Sequence, residues 1–239
     1  MKKDLTQGNV TKTLLLFACP MILGNLLQQC YNIADTLIVG RFLGPDALAA
    51  VGSAYSLMTF LTSIIIGLCM GSGTVYSVWF GRKDNKQLKN SMVTSFSFIV
   101  TVTIIINILV FVGIDFILRV LRVPPEIYAL MREYVWIIFG GIFFVFLYNY
   151  FAFLLRAIGN SVTPLCFLGI AAVLNIALDI VFVAVLGKGV GGAAYATVIS
   201  QAVSGLGIGV YVWFKEKELR PKAKEVMFSK TMTLEVVRN

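Results

Sequence analysis

The sequence has no histidine and little charge, since only 13% of its 239 residues are Asp, Glu, Lys or Arg. A soluble domain carries about twice that share. Without histidine, the chain lacks the commonest metal ligand and the commonest general base. It also contains no nucleophile–base pair and no nucleotide-binding loop, so an enzyme is the least expected class. The four cysteines fall inside apolar runs without metal-ligand spacing, and we interpret them as packing residues: Cys19, Cys30, Cys69 and Cys166.

Apolar residues are abundant, at 58% of the chain, and the mean hydropathy is +0.86. One water-soluble core cannot hide so much apolar surface, so the bilayer is the natural solvent. A transmembrane helix needs about 20 apolar residues, and six runs are long enough. The six predicted spans are 14–40, 47–80, 91–116, 134–155, 164–186 and 191–214. We therefore predict an all-α integral membrane protein, with a six-helix bundle over 1–214 and a charged cytoplasmic tail over 215–239.

The positively charged residues are distributed unevenly between the connections. Fifteen Lys and Arg fall on the side that holds both termini, and five fall on the other side. The positive-inside rule then places both termini in the cytoplasm and predicts a multi-pass protein of the cell inner (plasma) membrane. The net charge of +8 follows largely from this asymmetry. It indicates attraction to anionic lipid and not nucleic-acid binding.

Only two acidic residues lie well inside the predicted spans, Asp35 and Asp179. Each costs about 2.5–3.5 kcal/mol on insertion scales, so such residues face a cavity or a partner and not lipid. Asp35 lies about 9 Å and Asp179 about 12 Å from the outer end of its span, and Thr197 lies about 9 Å from the outer start of the sixth span. Asn175 precedes Asp179 by one helical turn.

These oxygen-rich side chains reach a similar depth in the outer half of the membrane. Oxygen ligands suit a hard monovalent cation such as sodium, and two neighbouring carboxylates also suit a shared proton. We predict a cation or proton site that is formed by Asp35, Asn175, Asp179 and Thr197. The alternative is a static polar network that only locks the helices together.

The first span is unusually polar for a membrane helix. A lipid-facing helix would not tolerate so many amides, so this span is expected to line a wet or polar cavity. Its polar residues are Asn25, Gln28, Gln29, Tyr31 and Asn32. Pro20 is expected to kink the same helix. Two G-x-x-x-G pairs, Gly67 with Gly71 and Gly205 with Gly209, predict close helix packing.

Four stretches in order resemble the multidrug and toxic compound extrusion family of secondary transporters. They are "FACPMILGNLLQQCYNIADTLIVGRFLGPDALAAVG" (17–52), "LLRAIGNSVTP" (154–164), "VLNIALDIVFV" (173–183) and "GVGGAAYATVISQ" (189–201). Together they combine a proline, an aspartate fifteen residues later, G-R-x-L-G, and Asn-x-x-x-Asp on the fifth span. The likeness covers about residues 5–214 and is to the N-terminal six-helix lobe of that family.

The resemblance implies export of cationic, amphiphilic or aromatic compounds, driven by inward flow of sodium or protons. It matches Asp35, Asn175, Asp179 and Thr197 to the family's cation or proton site, which binds sodium if coupling is to sodium. Pro20 matches the bend of the first helix, and Tyr31 matches a tyrosine of the polar cavity, which Gln28 and Asn32 are expected to line. No cofactor beyond the coupling ion, Na⁺ or H⁺, is implied.

The family pattern has about twelve helices in two lobes, whereas six spans are found here. We expect either a piece of a longer transporter, the favoured interpretation, or an assembly of two six-helix units. Expected partners are a small cationic substrate, membrane lipid, and a C-terminal lobe or second copy. Two other functions stay open: a flippase for lipid-linked precursors, which would require basic residues in the cavity, and a non-transporting membrane scaffold.

Overall fold

The computed structural model describes residues 10–220, and the side chains of 15–220, as an all-α bundle. The helices are α1 Val10–Leu43, α2 Pro45–Gly81, α3 Asn85–Val120, α4 Pro125–Gly140, α5 Ile142–Ala157, α6 Val162–Asp179 and α7 Gly189–Lys215. A π-helical segment, Ile180–Val185, continues α6, and a 3₁₀ turn, Lys217–Leu219, follows α7. The predicted all-α class is thus confirmed. The predicted tail over 215–239 is described only as far as residue 220, and the rest lies outside the described residues.

Four elements among the described residues are long and apolar enough to cross a membrane: α2, α3, α6 with its π segment, and α7. The pair α4 and α5, which is bent by 47°, provides a fifth candidate span. The helix α1, with 34 residues, is also long enough to cross a membrane. Its amides and Asp35 make it more polar than α2, α6 and α7, as expected for a helix that lines a polar interior.

The fourth predicted span, 134–155, differs from the structure because it is part of a broken helix that begins at Pro125. The break falls at Gly141, where an added Cβ would lie 2.6 Å from both methyl carbons of Val198 on α7. The Asn107 side chain on α3 donates a hydrogen bond of 2.6 Å to the carbonyl of Phe139 beside the break. Contacts from α3 and α7 therefore hold the bend.

Local signals explain where several helices begin. Gly44 adopts φ 86°, a left-handed conformation that favours glycine, and Pro45 then starts α2. The Asp84 carboxylate accepts a hydrogen bond of 3.0 Å from the Gln87 backbone N–H, which caps α3. The helix α3 consequently starts six residues before the predicted span. In contrast, α1 continues as one helix through Pro20.

The helix α7 packs against α4, α5 and α6, and α1 lies against α6 and α2. An added Cβ on Gly205 would lie 2.6 Å from the Phe144 carbonyl oxygen, and one on Gly209 would lie 3.0 Å from the Phe151 ring. The predicted close approach at this glycine pair is confirmed. No described residue lies within 4 Å of the same position on Gly67, whereas Gly71 of that pair is buried, so the predicted close approach is not found at Gly67.

Candidate cation or proton site

The structure brings together four of the residues that the sequence assigned to one site. Asp35 on α1 and Asp179 at the end of α6 are 8% and 0% exposed, and their carboxyl groups are close enough to interact. Asn175, which is 2% exposed, donates a hydrogen bond of 3.4 Å to the Thr197 hydroxyl on α7. Three helices therefore contribute oxygen atoms to one buried position.

Most of these buried oxygens have no hydrogen-bond partner within the described part of the chain. They are Asp35 Oδ1, Asn175 Oδ1 and both carboxylate oxygens of Asp179. An unsatisfied buried acceptor costs about 1–3 kcal/mol, and more when it carries charge. Two facing carboxylates also repel one another. The arrangement therefore fits a positively charged occupant, either a hard cation with oxygen ligands or a proton.

The described residues contain no group of three or more His, Cys, Asp or Glu side chains that is arranged to hold a metal ion. A cation at this position would rely on two carboxylates and on the neutral oxygens of Asn175 and Thr197. Such a ligand set of two carboxylates and two neutral oxygens suits a hard cation, which prefers oxygen ligands.

The backbone changes conformation at the acid pair. Asp179 is the last residue of α6, and the π-helical segment starts at the next residue, Ile180. Short π segments inside α-helices are rare and occur frequently at functional sites. Beyond the transition, Phe182 of the π segment packs on Gly192 of α7.

Tyr134 is a site residue that the sequence argument did not identify. It lies on α4, is buried, and interacts electrostatically with Asp35 and Asp179. Its hydroxyl is also close enough to Thr197 for a side-chain hydrogen-bond interaction. Tyr134 could have been identified from the sequence if hydroxyl residues, and not only acids, had been compared by their predicted depth in all spans. With Tyr134, a fourth helix contributes to the site.

A small cavity lies beside Asn175 and Thr197. Its volume is about 10 Å³, which is about the minimum that holds one water molecule. The lining residues are Tyr31, Ala171, Asn175, Thr197, Ser200 and Gln201. The site thus has room for one small occupant beside Asn175 and Thr197, and Ser200 and Gln201 are further polar lining residues that sequence reasoning missed.

The remaining predicted residues of α1 lie at different distances from the acid pair. Tyr31 lines the cavity, and its hydroxyl interacts with the Gln28 side chain. Asn32 donates a hydrogen bond of 3.2 Å to Gln29 on the exposed side of the helix. Pro20 is fifteen residues before Asp35, or about 22 Å along the helix, so it is not in contact with the site.

These features define a multi-pass membrane protein with a buried acid pair enclosed by apolar helices. Residues 20–181 match the family described as MatE. The chain therefore belongs to the multidrug and toxic compound extrusion family, and the predicted family is confirmed.

Curated relatives and solved structures agree with this assignment. The chain is 37% identical over 215 residues to the "Probable multidrug resistance protein YpnP" of Bacillus subtilis (strain 168). The match covers 90% of this chain and 48% of that protein. It is 28% identical to a multidrug resistance MATE family transporter of the MOP superfamily in its outward-facing conformation, with a TM-score of 0.88. That match covers 95% of this chain and 51% of the other chain. The chain thus spans about half the length of the relatives that it matches.

Proposed function

We propose that this chain forms the N-terminal six-helix lobe of a secondary antiporter that exports cationic amphiphilic compounds. Inward movement of sodium or protons through the acid pair drives the export. The observation that carries this proposal is the convergence of Asp35 and Asp179 with buried oxygens that lack partners. The name of the Bacillus subtilis relative, a probable multidrug resistance protein, agrees with drugs as cargo.

Charge compensation supplies the coupling step. A cation or proton between Asp35 and Asp179 offsets the repulsion of the two carboxylates and lets α1 stay close to α6. When the ion leaves, the repulsion returns and favours separation of the two helices. Because α1 also packs on α2 and α7, its displacement would be transmitted to the rest of the lobe. Ion occupancy then selects between two arrangements of α1, as a two-state carrier requires.

The distribution of fixed charge supports cationic cargo. Within the described spans, the acids Asp35 and Asp179 are buried deeply, whereas the basic residues lie toward the helix ends, as Arg41 and Arg156 do. A flippase for lipid-linked phosphates would be expected to carry basic residues in its cavity. The exposed amides Asn25 and Gln29 on α1 provide neutral contacts for an amphiphilic molecule.

The proposed orientation has both termini in the cytoplasm, with the acid pair in the outer half of the membrane. The bias of Lys and Arg toward one set of connections supports it. In that orientation, an ion enters from outside and meets Asp35 and Asp179 after crossing about 9–12 Å of the helices. A C-terminal lobe or a second copy of this lobe would complete the cleft for the cargo.

Dye efflux from cells or vesicles tests the proposal directly. The lobe is expressed together with the C-terminal lobe or second copy that completes the cleft. Efflux is then driven by a sodium gradient alone or by a proton gradient alone. We expect Asp35→Asn and Asp179→Asn each to abolish efflux that one of these gradients drives in the unchanged protein. Asp115→Asn is the matched control, because Asp115 forms a half-exposed ion pair of 2.8 Å with Arg132 near a helix end.

Membrane insertion is measured in parallel for all variants. If neither gradient drives efflux in the unchanged protein, the antiporter proposal fails. If both acid variants lose insertion or assembly while Asp115→Asn does not, the acid pair acts as a structural lock, and the scaffold interpretation is favoured.

A further inference from the structure

A groove lies between α5 and α7, away from the acid pair. Its volume is about 290 Å³, near the lower limit of about 300 Å³ for ligand pockets in proteins. It is lined by Leu147, Phe151, Gly205, Leu206, Gly209, Val210, Trp213 and Phe214. Gly205 follows Thr197 by eight residues, or about 12 Å along α7, so the groove is distinct from the cation site.

The two glycines explain why a groove forms here. The main chain of α5 reaches Gly205, and the Phe151 ring lies against Gly209, because neither position has a side chain. The next residues on α7 form a ridge beside this seam, and about half of each of Leu206, Val210 and Trp213 is exposed. The result is an apolar channel that runs along α7 and is open to the surroundings of the bundle.

One end of the groove carries positive charge that is held in place. The Nε of Arg220 donates a hydrogen bond of 2.6 Å to the Trp213 carbonyl, and its guanidinium carbon lies 5.1 Å from the centre of the Trp213 ring. Lys215 and Lys217 are exposed on the same side of the bundle. The local acids are Glu216, which is buried, and Glu218, which is exposed.

We propose that this groove binds an anionic phospholipid, with one acyl chain along α7 and the phosphate on Arg220. The lined part of α7 extends from Gly205 to Phe214, about 14 Å, which is close to half of the ~30 Å hydrocarbon core. The groove therefore has the length of one leaflet and ends where lipid headgroups lie. Basic residues at the ends of apolar helix grooves recognise anionic headgroups, and an interfacial tryptophan suits the same level.

Native mass spectrometry of the full chain, purified in detergent, measures this preference. Phosphatidylglycerol and phosphatidylcholine with identical acyl chains are titrated separately. We expect phosphatidylglycerol to bind more tightly, and Arg220→Gln to weaken its binding about fivefold, as expected for loss of one basic residue near the headgroup. Arg220→Lys, which keeps the charge, should lose less.

Two further variants separate the groove from general surface charge. Val210→Trp fills the channel and should weaken both lipids. Lys86→Gln removes an exposed charge near the start of α3, on the same predicted membrane side, and should change neither. Melting temperatures identify any variant that is misfolded. Equal binding of the two lipids, or unchanged phosphatidylglycerol binding in Arg220→Gln, overturns the proposal. A dimer that Val210→Trp dissociates also overturns it, because the groove would then hold a second copy.

Discussion

Two buried polar clusters in this bundle are built in opposite ways. Between α2, α3 and α5, the hydroxyls of Tyr76 and Ser95 are hydrogen-bonded to each other, and Tyr150 donates a bond of 2.7 Å to the Met92 carbonyl. Ser95 donates a further bond of 2.7 Å to the Ser91 carbonyl. Every hydroxyl of Tyr76, Ser95 and Tyr150 therefore has a partner inside the protein.

The acid pair has the opposite property, because four oxygens of Asp35, Asn175 and Asp179 have no partner in the described residues. A satisfied network of neutral groups stabilises the packing of helices without any ligand. An unsatisfied acidic cluster instead requires an occupant that brings positive charge. A buried structural cluster thus has its polar groups paired inside the protein, whereas a buried ligand site leaves them unpaired. Stability should depend on ions at one cluster and not at the other.

The largest effect is expected at Asp179. The Asp179→Asn substitution removes half of the negative charge at the site, and we expect cation or proton affinity to fall at least about 100-fold, equivalent to about 2.7 kcal/mol. Thermal unfolding of the purified protein is measured against sodium concentration and against pH. Whichever ligand stabilises the unchanged protein should no longer stabilise the variant. A variant that keeps the full ligand-dependent shift would contradict the assignment.

A smaller effect is expected at Thr197. Thr197→Val keeps the side-chain shape but removes the hydroxyl that accepts from Asn175, so affinity for the occupant should fall about tenfold, or ~1.4 kcal/mol. Thr197→Ser retains an oxygen and serves as the control, with affinity close to that of the unchanged protein. The same ion and pH titrations provide the measurement. A larger loss in Thr197→Ser than in Thr197→Val would show that the methyl group, and not the oxygen, matters.

Much of the fold could be predicted because the length of each apolar run can be read directly from the sequence. The runs that became α2, α3 and α7 have ends that the structure extends by only a few residues. The extension of α3 to Asn85 depends on the Asp84 cap, a polar signal that hydropathy does not register. The proximity of Asp35 and Asp179 was also predictable, since helical rise places both at a similar distance from the outer ends of their predicted spans.

The features that could not be predicted depend on contacts between distant parts of the chain. The break at Gly141 requires Val198 and Asn107, which lie on other helices. Tyr134 contributes to the site through contacts with residues of α1, α6 and α7, which are distant in sequence. Gly67 shows the converse, since its spacing is typical of close packing but no described residue lies within 4 Å of an added Cβ. Periodicity identifies faces, but only the fold decides which faces meet.

The cluster of Tyr76, Ser95 and Tyr150 is the control for the acid pair. Tyr150→Phe removes one buried hydroxyl and its bond to the Met92 carbonyl, so we expect a loss of about 1 kcal/mol in the free energy of unfolding. Its response to sodium and pH should equal that of the unchanged protein. A changed ion response in this variant would mean that the two clusters are coupled, and the comparison between them would not hold.

The smallest effect is expected at Asn32, which distinguishes the acid pair from the rest of α1. The Asn32 amide bonds to Gln29 on the same exposed helix face, so Asn32→Ala should change ion affinity and unfolding by less than about 0.5 kcal/mol. If this face contacts cargo, as proposed for the cavity lining, dye binding should weaken about threefold while the ion response stays constant. Fluorescence titration with a cationic dye at fixed sodium and pH measures dye binding. Thermal unfolding at varied sodium and pH measures the ion response. An ion response that changes together with dye binding would place Asn32 in the ion site. The site would then extend from Asp35, Asn175, Asp179 and Thr197 to the exposed face of α1.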